Sequence, residues 1–154
     1  MVVSPGAWHA LAFALVLGFA ASWLLASRLH RRTRVEAQIL AAAVLGGIPA
    51  VAIATVAWAV PGGGHVVVLA IGCGVGGILG TAGAWAARGR VDGCPRPGLA
   101  FVGTLAGATL GSAIAAAMVF AFLVADGQLP GLLIPLAPGY VGVLAALGFQ
   151  IGAG

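Results

Sequence analysis

Apolar residues run through this chain in long blocks, and the few polar residues cut the blocks apart. The first block covers about 7–27 and ends where Arg28, Arg31, Arg32 and Arg34 begin. The second covers 37–60; it opens after Glu36 and stops at Pro61-Gly62-Gly63-Gly64, a run that opposes helix continuation. The third covers 65–87, the fourth 98–125, closed by Asp126-Gly127, and the last 129–151. About 20 apolar residues make a helix that crosses the roughly 30 Å hydrocarbon core of a bilayer. The pattern therefore predicts an all-α membrane protein, a polytopic bundle of four to five transmembrane helices in one domain spanning 1–154. Pro49 inside the second block predicts a kink. The fourth block is longer than the core requires and should tilt or protrude. The last is the least regular, with Pro130, Pro135, Pro138, Gly131 and Gly139. It reads as a fifth span with an irregular start or as a re-entrant segment, and its length favours the span.

Within the blocks, glycine recurs at every fourth position. The third block carries Gly72, Gly76 and Gly80; the fourth carries Gly103, Gly107 and Gly111. Four residues is a little over one helical turn, so each trio predicts a groove without side chains. Such grooves let helix backbones approach in lipid, where leaving lipid for another apolar surface gains nothing by itself. The spacing leaves open whether these helix-packing glycines meet within one chain or between chains. Weaker stripes of small residues run along the first block (Gly6, Ala10, Ala14, Gly18, Ser22, Ala26) and the second (Gly46, Ala50, Ala54).

Composition agrees with the pattern. The chain is 62% hydrophobic and 6% charged, with a mean hydropathy of +1.15, whereas a soluble domain carries about 25% charged residues. The formal net charge of +4 does not indicate a nucleic-acid binder. All the basic residues are arginines, confined to two short connections: Arg28, Arg31, Arg32 and Arg34, then Arg88, Arg90 and Arg96. Positive connections stay cytoplasmic, which predicts the N-terminus outside and, for five spans, the C-terminus inside; the expected location is a prokaryotic plasma membrane. Trp8 and Trp58 then fall near the outer boundary and Trp23 and Trp85 near the inner one, as an aromatic belt does. Anionic lipid is a natural contact for the basic connections.

The glycine-rich helix, the short polar connection and the second apolar helix together resemble, over about residues 66–125, the proteolipid ring subunits of rotary ATPases. Those subunits need a mid-membrane carboxylate to carry the ion. The fourth block has none, its nearest acid being Asp126 at the end, so membership in that family is not implied.

Candidate chemistry is sparse. Ionisable groups inside a bilayer usually mark ion or proton paths, and no Asp, Glu, Lys or Arg falls mid-block. Hydroxyls available within the blocks include Thr55, Thr81, Thr104, Thr109 and Ser112, which ordinarily bond to their own helix. His9, His65 and Asp126 fall toward the predicted outer side and form a speculative polar cluster; interfacial histidines most often face water and headgroups. Cys73 and Cys94 lack metal-ligand spacing and read as free thiols. Gly72-Cys73-Gly74-Val75-Gly76-Gly77 echoes a dinucleotide loop but lacks the preceding strand and the following acid. The expectation is a non-enzymatic chain with no cofactor and no metal, a packing or assembly subunit whose partners are membrane lipid and itself or other membrane subunits. The alternative is a small channel or carrier for a small solute or ion, built on the interrupted last block.

Overall fold

Two of the long helices open on proline, whose missing N–H is harmless in a first turn. These are α1 (Pro5–Arg28) and α5 (Pro97–Val124). The computed structural model describes residues 5–28, 35–60, 64–88, 96–124 and 133–154. Between α1 and α5 lie α2 (Val35–Ala42), a π-helical segment (Ala43–Gly47), α3 (Ile48–Trp58) and α4 (Gly64–Ala87); α6 (Leu133–Ala153) ends the chain. Segments α2, π and α3 run on without a break, so five helices are long and apolar enough to cross a membrane. No strand occurs among the described residues. At 1.5 Å per residue the 24-residue helices reach about 36 Å and the 28-residue α5 about 42 Å. Residues 133–153 form one continuous helix through Pro138, not two short arms.

Two of the arginines sit where helix dipoles favour them. Arg28 lies in the last turn of α1 and Arg88 directly follows α4, both at negative C-terminal ends. These two residues and Arg96, just before α5, share one end of the bundle, called here the basic end. Trp58 and His65 lie at the opposite, far end.

Four of the five helices close a ring. The α2–α3 helix packs on α4, α4 on α5, α5 on α6, and α6 back on α2 and the π segment. The closest pairing is α5 with α6. The core is built from small side chains: Ala42, Ala84, Ala108, Ala115, Ala137 and Ala145 have no exposed surface. Helix α1 stands outside the ring against α6. The Tyr140 hydroxyl donates to the Leu15 carbonyl, and Phe19 meets the Tyr140 ring edge-on at 5.5 Å. At the basic end Ala26 joins Val35, Ile39, Val143 and Ala146 in a second small cluster.

Candidate functional site

The two glycine trios do not meet each other. Gly72, Gly76 and Gly80 are buried: Gly72 faces the second span, Gly76 faces α5 and the second span, and Gly80 faces α6, with Val141 Cγ1 2.9 Å from where its Cβ would lie. A Cβ on Gly72 would fall 3.0 Å from Ile53 Cγ2, and one on Gly76 would fall 2.8 Å from Ala50 Cβ and 2.5 Å from Ser112 Oγ. Gly103, Gly107 and Gly111 instead meet α6. A methyl on Gly103 would overlap the Gly148 carbonyl oxygen, one on Gly107 the Leu144 carbonyl oxygen, and one on Gly111 would sit 2.6 Å from Val141 Cα. These neighbours are backbone, which cannot swing aside. The stripe in the second span is also covered, since Gly46, Ala50 and Ala54 are buried. The stripe of α1 is different. Ala10, Ala14 and Gly18 are exposed, and a Cβ on Gly18 would meet only the Tyr140 hydroxyl, at 3.2 Å.

The kink expected at Pro49 takes the form of a π segment. The Ile48 N–H donates to the Ala43 carbonyl, five residues back. The cause is steric: a proline ring collides with the carbonyl four residues before it and offers no N–H. Widening the turn just upstream relieves the collision. The widened turn points two adjacent glycines at different helices. A Cβ on Gly46 would fall 2.5 Å from the Gly76 carbonyl oxygen and from Gly80 Cα, whereas one on Gly47 would fall 2.5 Å from Pro138 Cα. Pro138 lies inside α6 and leaves the Ile134 carbonyl without its donor four residues on. The interruptions of the second and last membrane-length helices are thus packed against one another.

The buried polar residues lie in the same ring: Gln38, Thr81, Thr104 and Ser112. The three hydroxyls donate to the carbonyls of Gly77, Ala100 and Ala108 at 2.6–2.8 Å, each four residues back on its own helix. Thr55 does the same to Val51 at 2.9 Å. Gln38 is fully buried, and neither its amide oxygen nor its nitrogen has a hydrogen-bond partner. Between α3, α5 and α6 an apolar crevice of about 190 Å³ is lined by residues including Val51, Thr55, Phe122 and Ile134.

At the basic end the Arg88 guanidinium lies 3.8 Å from the centre of the Trp85 ring, a cation–π contact. The same indole meets Phe101 and Phe149 edge-on, each at 5.7 Å. Arg28 and Arg96 are exposed, and the Arg96 carbonyl accepts from the Ala100 N–H. Arg31, Arg32, Arg34 and Arg90 lie outside the described residues, as does Asp126. Of the proposed outer cluster, His65 stacks on Phe120 at 6.4 Å beside a hollow of about 260 Å³ that Trp58 also lines. His9 sits on α1, whose main packing is against α6 and not α4. No group of three or more potential metal ligands occurs among the described residues.

Gln38, neither charged nor a hydroxyl, carries no signal of its own in the sequence. The glycines of α6 lie outside the two trios yet pack closely as well: Gly148 faces Gly103, Gly152 faces the Leu99 carbonyl, and Gly142 faces the Ile39 carbonyl. The four-residue step from Gly148 to Gly152 was the available signal. Compared with protein-family models, curated proteins and solved structures, the chain matches none.

Proposed function

We propose that this chain is an integral membrane protein acting as a non-catalytic packing or assembly subunit, with α1 as its docking element. In this reading the basic end faces the cytoplasm and the N-terminus lies outside. The observation that carries it is the contrast between two kinds of small-residue face. The glycine trios of α4 and α5 are covered by other helices of the same chain, while Ala10, Ala14 and Gly18 of α1 stay exposed. Only 11% of the α1 window is buried, against 33–44% for the other four helices. Close helix contact in lipid needs small residues at the surface, and α1 offers them beside Leu11, Leu17 and Phe13. Gentle detergent extraction tests this. A particle larger than one chain is expected, and Ala14→Leu should reduce it to a single chain without lowering its melting temperature. An assembly that Ala14→Leu leaves intact would remove α1 as the docking element.

A second reading, a small-solute carrier or channel, has its own support in the opposed interruptions at Gly47 and Pro138 and the unpartnered amide of Gln38. Interrupted helices in two parts of a membrane protein are where carriers build their sites.

A further inference from the structure

Gly47, Val51 and Thr55 recur at four-residue steps and share one side of the second span. Ile134 and Pro138 share a side of α6 in the same way. The two sides touch at Gly47, where a Cβ would fall 2.5 Å from Pro138 Cα. One turn toward the far end they part, because α6 packs mainly on α2 and the π segment and little on α3. Val51, Thr55 and Ile134 line the gap, which is the crevice of about 190 Å³, and α5 forms its back wall. Met118 and Ala137 are buried at its base, while Thr55 and Ile134 are exposed at its mouth. Thr55 stands three residues before Trp58, which ends α3, so the mouth is about 5 Å from that end.

Size and polarity define what fits. An apolar cavity of about 150 Å³ takes a benzene molecule, so the crevice has room for one ring. None of its lining residues is ionisable, which disfavours a charged ligand. Pro138 offers no N–H, so the Ile134 carbonyl lacks its donor four residues on. Helix carbonyls point along the axis toward the C-terminus. The Ile134 oxygen therefore lies toward Pro138, on the side that faces the second span. The Thr55 hydroxyl donates to the Val51 carbonyl at 2.9 Å, and its oxygen can still accept. The mouth thus holds two acceptors. A plain lipid tail would fill the space but leave the Ile134 carbonyl unmet, which is costly away from water.

We propose that this crevice binds an uncharged, membrane-soluble hydroxy compound whose apolar body is the size of a single ring. The ring lies against Met118 and Ala137, and the hydroxyl donates to the Ile134 carbonyl. The site goes beyond the assembly reading and shares with it only the placement of the chain in a membrane.

The test photolabels the full chain in lipid vesicles with 3-azidophenol and locates the adducts by mass spectrometry. Saturable adducts within residues 118–123 and 134–137 are expected. Anisole has the ring without the donor. At equal concentration in the bilayer, phenol should displace the probe about two- to tenfold better than anisole, the worth of one hydrogen bond. Val119→Trp, or Val51→Phe if the first does not fold, fills the crevice and should abolish the saturable adducts. Pro138→Ala returns an N–H to the Ile134 carbonyl and keeps a Cβ against Gly47. It should remove the preference for phenol while the ring still binds. Adducts spread evenly over the lipid-facing helices, or equal displacement by phenol and anisole, would show a gap filled by lipid tails and overturn the site. A preference that survives Pro138→Ala overturns the Ile134 carbonyl as the acceptor. Ala14→Leu, which tests the assembly reading, should leave the labelling unchanged, so the two can fail separately. A chain that does not stay with the vesicles would remove the membrane placement and the site with it.

Discussion

At the residue scale, single atoms decide how this chain packs. Gly107 lies against the Leu144 carbonyl with no room for a methyl, so Gly107→Leu should destabilise at or beyond the ~3 kcal/mol upper range of overpacking. A thermal melt in detergent checks this; an unchanged melt would mean that α5 and α6 are not in backbone contact. Tyr140 holds α1 through one hydrogen bond to Leu15. Tyr140→Phe should weaken that attachment by about 0.6 kcal/mol, the average for such bonds in membranes, and speed hydrogen exchange in α1 with little change in α5. Glycine spacing made the trios legible as grooves, but their partners were not. Both trios carry the same pattern, yet the α5 trio meets α6 alone while the α4 trio is shared among the second span, α5 and α6, a difference that only the tertiary fold sets. Gln38 was illegible for a related reason. One amide two residues after Glu36 looks like the polar start of a helix, and only the tertiary fold buries it.

At the element scale, the π segment acts as one inserted residue that lets Pro49 lie inside a span. Deleting Val44, whose side chain is 47% exposed, should restore a regular helix and drive the Pro49 ring into the preceding carbonyl, at a cost of about 3 kcal/mol. Adding Pro49→Ala to the deletion should recover much of that loss. Melts of the single and double variants check it, and absence of rescue would show that the segment exists for packing alone. Helix ends were legible because arginines, Pro61 and the glycine run after it interrupt the apolar blocks. The form of the Pro49 irregularity was not, because a kink and a π turn share one sequence signal. Which of them occurs depends on whether Gly46 and Gly47 have two helices to meet, α4 and α6.

At the scale of the whole molecule, four spans close on each other through small residues and the fifth lies outside the ring. Hydropathy narrowed the expectation to four or five helices, because a membrane-length apolar block has few other uses, and the continuous α6 makes the number five. Hydropathy could not show the ring order, since α5 and α6 are joined by contacts between residues as far apart as Leu99 and Gly152. In the proposed assembly role, α1, outside the closed ring, is the surface on which another protein would sit. Photocrosslinking in intact membranes tests that most directly, with a benzophenone side chain placed at Ala14 and, as a control, at Ile78, which is 64% exposed on α4. A discrete protein adduct from position 14 and lipid adducts alone from position 78 are expected. Lipid adducts alone from position 14 would contradict the account.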